Sequence, residues 1–298
     1  MKCNAFLMML LSYAVIYTSC HPKLTSHQSD QSAQSQQSEQ SGQSAQSGQS
    51  TQYQQPEQSQ QSQPTTLNKE VKDDRGNLNL LGVCTRERLQ QAPFDSWFVK
   101  EYTSYTVDTL TAGQLQGKLA GRTLRIFMGT WCGDSQMQVP RIFKILDYCG
   151  VKPSSIQLIM VSDADSSYKQ SPGHEEKGLN IFRVPDLLVL DHGRESGRIV
   201  ESPVQSLEKD LLAITSGQPY TPKYTGAAFL IRLFGERNKK DIENDLPAIA
   251  GQIKPLLQSP GELKSYAHVM NAAGEKEKAG IALRLNSLIF PSIKPIPQ

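Results

Sequence analysis

A short, mostly apolar run, Leu124-Arg125-Ile126-Phe127-Met128, ends in Gly129-Thr130-Trp131-Cys132-Gly133, and residues 134–148 then take up helical spacing. Met137, Ile142, Phe143, Ile145 and Leu146 fall on one face of that helix. A strand that turns directly into a helix restricts the fold more than any other feature of the chain. The strand must lie in a sheet, and the helix must pack back on it. The segments that follow keep the alternation. Residues 156–161 and 184–190 are rich in branched and apolar side chains and predict strands. The sequence Asp191-His192-Gly193-Arg194 predicts a turn that returns the chain as a hairpin strand over 197–201, and residues 207–215 predict a helix. The order β-α-β then β-β-α describes an α/β domain over 98–217 with one central mixed sheet.

The flanks read differently. Residues 28–63 are almost entirely Gln and Ser, with Tyr53 the one large apolar side chain. Such a stretch cannot bury enough surface to offset its ordering entropy. Residues 21–64 are therefore read as a flexible tether, with a Gln-rich aggregation-prone tract as the alternative. Residues 65–97 read as a transitional segment, with Thr85 a candidate N-cap and Cys84 a small buried residue. Residues 226–298 predict a small all-helical region. Its last part carries a helix, the turn Ala273-Gly274-Glu275 and a second helix.

Residues 1–20 have the form of an export signal: Lys2, an apolar stretch from Ala5 to Ile16, then Thr18-Ser19-Cys20. The ending resembles a bacterial lipoprotein lipobox, which implies lipidation of Cys20. An ordinary cleaved signal and an uncleaved anchor are the alternatives. The formal charge of +2, without a long basic run, argues against nucleic acid as a partner. The five His and five Cys show no paired ligand spacing, so no metal or cofactor is expected.

A Cys at the start of a helix faces backbone N–H groups that have no intrahelical partner, and the helix dipole adds partial positive charge there. Both favour the thiolate, which is the attacking form in disulfide exchange. Trp131-Cys132-Gly133-Asp134-Ser135 after an apolar strand, with Pro140 in the following helix and Val184-Pro185 before the third strand, resembles the active site of the thioredoxin superfamily. The resemblance covers about 98–217 and implies a thioredoxin-like fold. It also implies that Cys132 is the attacking thiol, that Pro185 is a cis-proline facing it, that the Val184 backbone binds an extended peptide, and that Trp131 lines the groove. The helical end resembles a tetratricopeptide-type hairpin.

Two positions depart from the thioredoxin pattern. Ser135 stands where the family carries a resolving Cys, and Ile126 stands where it often carries a buried Asp. Ser135 is expected to act by hydrogen-bonding the Cys132 thiolate. Cys149, near the far end of the same helix, is too distant to resolve, and Cys84 is left as a possible remote partner. The resulting expectation is a monothiol thiol–disulfide oxidoreductase or isomerase, held to a bacterial membrane through Cys20 and facing the periplasm or exterior. It would form mixed disulfides with exported proteins or small thiols. The alternative is a non-catalytic thioredoxin-like peptide-binding module. Two weaker candidates, His174 with Glu175 and Asp163 with Asp165, read as a solvated loop and as turn or cap residues.

Overall fold

The computed structural model describes residues 66–291. The tether, Cys20 and the signal-like segment lie outside them. The chain runs through strand β1 (Lys69–Lys72), strand β2 (Leu78–Cys84) and helices α1 (Arg86–Leu89), α2 (Asp95–Ser104) and α3 (Thr109–Leu115). Strand β3 (Arg122–Met128), helix α4 (Gly133–Tyr148) and strand β4 (Ile156–Met160) follow. Then come strands β5 (Asp186–Asp191) and β6 (Arg194–Val200) and helix α5 (Leu207–Thr215). The helical end comprises α6 (Thr225–Glu236), α7 (Lys239–Asn244), α8 (Leu246–Ile253), α9 (Glu262–Ala272) and α10 (Lys276–Ile289).

The protein is mixed α/β, with a six-stranded sheet in the order β1-β2-β4-β3-β5-β6. Strands β3 and β4 pair in parallel, with α4 as their crossover, and every other pair is antiparallel. The hairpin expected at Asp191-His192-Gly193-Arg194 is a two-residue turn, with His192 at φ 49 and Gly193 at φ 77. Two consecutive positive φ values are what the right-handed strand twist demands of a tight hairpin.

One expectation is corrected. The segment 65–97 is not a transition into the domain: its β1 and β2 form one side of the sheet, and β2 pairs with β4 through Gly82, Val83 and Cys84. Sequence reasoning missed this because Leu78-Asn79-Leu80-Leu81-Gly82 neither alternates cleanly nor forms a continuous apolar run. Short helices α3, α6 and α7 also escaped notice as separate elements. Asp108 caps α3 by accepting from the Thr111 N–H at 3.2 Å, and Asn238 caps α7 by accepting from the Asp241 N–H at 2.9 Å.

Side chains alternate across the sheet as a period of two requires. Leu124, Ile126 and Met128 of β3 and Leu187 and Val189 of β5 face one core with Leu80, Phe98, Ile142, Phe143 and Leu146. Phe127, Ile159, Leu188 and Leu190 face the other side, together with Val161, Ile181 and Val184. The helical end has its own core, centred on Leu230, Ile249, Leu263, Tyr266 and Leu285. Phe182 and Val200 of the α/β part belong to that core, so the two parts pack together. Helices α9 and α10 form a hairpin through Gly274, whose φ of 79 is the left-handed conformation that ends a helix. Among the described residues, no helix is long and apolar enough to cross a membrane.

Leu80 is 1% exposed in the main core. Its replacement by Ala is expected to cost about 2–5 kcal/mol in urea unfolding. Leu67→Ala, at a 55% exposed position, is expected to stay within about 0.5 kcal/mol. A negligible cost for Leu80→Ala would return residues 65–97 to the status of a dispensable lead-in.

Candidate functional site

Cys132 is the N-cap of α4, at φ −95 and ψ 120, and is half-buried. The first intrahelical bond of the site is made by its carbonyl, which accepts from the Gln136 N–H at 2.9 Å. Its own side chain does not cap the helix, and its sulfur is therefore available. The thiol donates to the Val184 carbonyl at 3.3 Å. Asp134 lies in the first turn of α4, where an acid complements the helix dipole. The helix places Ser135, Gln138, Val139, Ile142, Phe143 and Leu146 on its buried face, the spacing that packs it against one face of the sheet.

The loop that presents Cys132 is held on several sides. The Thr130 hydroxyl accepts from the Leu80 N–H at 3.1 Å and donates to Asn79 Oδ1 at 2.9 Å. The Gln136 amide donates to the Thr130 carbonyl at 2.7 Å. Trp131 Nε1 donates to the Val161 carbonyl at 2.9 Å. The indole folds over Gly129, where an added Cβ would lie 2.4 Å from the ring, so the position requires glycine. Gly133 meets nothing within 4 Å of an added Cβ and leaves that side of the sulfur open.

The residues expected from the sequence come to one place, with differences in detail. The Val184-Pro185 peptide is cis, and both residues are buried. The Val184 carbonyl is engaged by the Cys132 thiol, so that acceptor is occupied in the free protein. Ser135 is 0% exposed, and its hydroxyl accepts from the Gly129 N–H at 3.4 Å. Among the described residues no hydrogen bond joins Ser135 to the Cys132 sulfur. Ile126 is fully buried on the α4 side of the sheet.

The other described cysteines form no disulfide with Cys132. Cys84, Cys132 and Cys149 are all free thiols. Cys84 is 5% exposed within the β2–β4 pairing, and burial pushes its thiol up to about 12. Cys149 ends α4, with its sulfur 3.5 Å from the Ala112 carbonyl, and burial raises its thiol as well. The loop at 171–176 closes on itself, with the Ser171 hydroxyl oxygen 2.5 Å from a carboxylate oxygen of each of Glu175 and Glu176 and its one hydrogen shared between them. His174 pairs with Glu176 at 3.3 Å.

Sequence reasoning missed three groups around the thiol. Lys169 is 4% exposed, sits at φ 56, and donates from Nζ to the Phe182 carbonyl at 2.8 Å. That carbonyl is two residues from Val184. Burial, then the Arg183 charge, pushes Lys169 down to about 8, against the pull of Cys132 and Glu201. Nothing in the polar stretch around Ser166-Ser167-Tyr168-Lys169 marks a buried lysine. Tyr168 stands 6.0 Å from Trp131 and stacks on His268 of α9 at 4.0 Å, so the helical end reaches the site. Asp186, next after Pro185, is 0% exposed; Arg198 Nη1 donates to its Oδ2 at 3.1 Å, and its Oδ1 has no partner. Burial raises the Asp186 carboxyl although Arg198 opposes the rise. Among the described residues no cluster of His, Cys, Asp and Glu is arranged to hold a metal.

No family model matches the chain, and no curated protein matches it. Among solved structures, a protein of unknown function from Pseudomonas aeruginosa is similar over 43% of this chain and 86% of that chain, at 20% identity and a TM-score of 0.32. A likeness at that score carries no argument about fold or activity.

Lys169 titrates lower in the folded protein than an ordinary lysine near 10.5. The unfolded state therefore binds more protons between about 8 and 10.5, and stability rises with pH through that window. Cys84 acts in the opposite sense above about 9, because its folded thiol is held up to about 12. Between pH 8 and 9 the urea midpoint of the wild type is expected to climb relative to that of Lys169→Met. Parallel profiles for the two proteins would show that Lys169 is not held in this way.

Proposed function

We propose that this chain is a thioredoxin-like thiol–disulfide exchange protein that works through one sulfur, Cys132. The observation that carries the reading is the placement of that sulfur: at the N-cap of α4, half-buried, against the Val184 carbonyl, and in no disulfide among the described residues. A mixed sheet in which a parallel β-α-β unit meets an antiparallel hairpin supports the thioredoxin-like reading of the fold.

The chemistry follows from a single thiol. The Cys132 thiolate attacks one sulfur of a substrate disulfide. A Cys132–substrate disulfide forms, and the other substrate sulfur leaves as a thiolate that takes up a proton. Ser135 cannot complete a second exchange. The mixed disulfide is therefore released by a small-molecule thiol, or by another thiol of the substrate, which regenerates Cys132 and carries the disulfide away. Reduction through the first route consumes the small thiol. Isomerisation through the second is redox-neutral and needs no donor.

The substrates proposed are exported proteins with disulfides, or small thiols. The lipobox-like Ser19-Cys20 and the Gln/Ser tether put the domain at the surface of a bacterial membrane, on the periplasmic or outer side. Metabolic labelling with a palmitate analogue, lost in Cys20→Ala, is the expected result; labelling that survives this change would remove the anchor from the proposal.

The exchange reaction is tested by treating the reduced full chain with glutathione disulfide and following intact mass. One glutathione adduct on Cys132 is expected, absent in Cys132→Ala, with Cys84 and Cys149 unmodified in the native protein. The adduct should persist until free thiol is added. Ser135→Cys should shorten its lifetime by about tenfold or more, because an internal thiol replaces a bimolecular step. Native protein that gives no Cys132 adduct would end the exchange reading. A non-catalytic peptide-binding module would then be the surviving alternative.

A further inference from the structure

Beside the Cys132 loop lies a cleft of about 670 Å³ whose walls come from the turn between β1 and β2, the first residues of β2, the start of α2 and the loop itself. Trp97 and Trp131 both line it, and they are the only 2 tryptophans of the chain. Phe94 adds a third aromatic wall. The rim carries Asp73, Asp74 and Asp163 against the single cation Arg75. Asp74 and Asp163 are exposed, and among the described residues neither makes a salt bridge. Asp73 spends its oxygens locally, on the Arg75 N–H at 2.9 Å and on the Asn77 N–H and side-chain amide at 2.8 and 2.9 Å.

A second feature of the same wall points to a ligand. Asn79 is 5% exposed and lines the cleft. Its Oδ1 is taken by the Thr130 hydroxyl. Its Nδ2 is buried and has no hydrogen-bond partner. Buried donors are almost always satisfied, and an unsatisfied one calls for a missing acceptor. Thr130, which fixes Asn79, also belongs to the loop that carries Cys132.

We propose that this cleft docks a peptide segment bearing a Lys or Arg side chain close to its disulfide, so that the substrates of Cys132 are cationic around the reacting cysteine. The inference rests on the exchange reading of Cys132. Aromatic walls with an acidic rim suit a cation on a long aliphatic stem, which packs on Trp97 and Phe94 while its charge faces Asp74 and Asp163. The free Asn79 amide donates to a backbone carbonyl of the same segment. Trp131 joins the two sites, since it lines the cleft and directly precedes Cys132.

Both tryptophans report on this cleft, so intrinsic fluorescence tests it without reference to thiol reactivity. The full chain carrying Cys132→Ala is titrated with three short peptides that differ only in two flanking residues, which are Lys, Ser or Glu, with Ala in place of the peptide cysteine. Saturable binding is expected for the Lys peptide. It should be about tenfold tighter than for the Glu peptide at low ionic strength, with the gap narrowing as salt screens the rim. Asp74→Asn with Asp163→Asn, at exposed positions that leave the fold intact, should remove most of that gap. Asn79→Ser should weaken all three peptides alike. Equal affinity for the three peptides, or a charge preference untouched by the Asp changes, would overturn the cleft assignment.

The rate at which wild-type Cys132 displaces a chromogenic thiolate from the matching activated-disulfide peptides separates the two readings. Exchange without charge preference rejects the cleft and keeps the thiol. Charge-dependent binding without exchange rejects the thiol chemistry and keeps the cleft.

Discussion

One hydroxyl joins strand β2 to the loop that carries Cys132. Strand β2 pairs with β4 only through Gly82, Val83 and Cys84, so the backbone before that point needs another partner on this side. Thr130 supplies it. Its hydroxyl accepts from the Leu80 N–H and donates to Asn79 Oδ1, standing in for a strand where β4 has already ended at Met160, opposite Gly82. A buried N–H left without a partner costs about 1–3 kcal/mol, so the two segments fix each other. Through this contact β1 and β2 become part of the site, although they stand some fifty residues before it in sequence. The same contact holds the Asn79 amide against the cleft and sets the start of α4, because the Thr130 carbonyl also receives Gln136.

Access to the sulfur follows from what covers it. Val184 and Pro185 are buried, and the residues just before them are tied to the helical end: Ser265 of α9 donates to the Phe182 carbonyl at 3.2 Å, and Phe182 packs edge-on against Tyr224 and Tyr266. His268 stacks on Tyr168 from the same helix. The helical end thus occupies the side of the site next to the cis-proline. Gly133 and Asp134 are exposed, and the aromatic cleft opens beside Trp131. Under the proposed exchange reading, a substrate reaching Cys132 from that direction would meet the tryptophan and the acidic rim first. The carboxy-terminal helices therefore act on the site by closing one approach.

The sequence was informative where local physics decides the outcome. Strand β3, the α4 start at Cys132, the turn at His192-Gly193 and helix α5 follow from periodicity, capping and φ requirements that a few neighbouring residues satisfy alone. The placement of Cys132 was legible in the same way, from the helix start that follows β3, whereas Trp131, Val184 and Pro185 were named only because the motif around them resembles that of a known family. What was illegible depends on distant partners. Leu78–Cys84 becomes a strand because Thr130 and β4 complete it. Lys169 is buried because the 182–184 segment folds over it, and no pattern in Ser167-Tyr168-Lys169-Gln170 encodes that. Ser135 could be given a role beside the sulfur from its spacing, but its hydroxyl turns to Gly129, a choice made by rotamer and packing rather than by position in the motif.

Buried charge is treated in two ways in this molecule, and the difference marks the site. Glu208, Asp210 and Glu262 are buried and well supplied. Glu208 accepts from Tyr105 and the Asp108 N–H, and Asp210 from the Val204 and Gln205 N–H groups and Tyr220. Glu262 accepts from the Ala227 and Gln258 N–H groups, closing the start of α6. These acids replace caps and turns, and a satisfied buried acid specifies one arrangement of loops. The unsatisfied groups lie elsewhere. Of the six buried polar atoms without a partner among the described residues, four belong to Asn79, Gln170, Arg183 and Asp186. All four sit on the segments that meet at Cys132: the β2 edge, the Lys169 turn and the entry to β5. The other two, Arg86 Nε and Asn286 Oδ1, lie away from the thiol, so the unpartnered atoms gather at the Cys132 segments without being confined to them, while the loop itself is held by Thr130, Trp131 and Gln136.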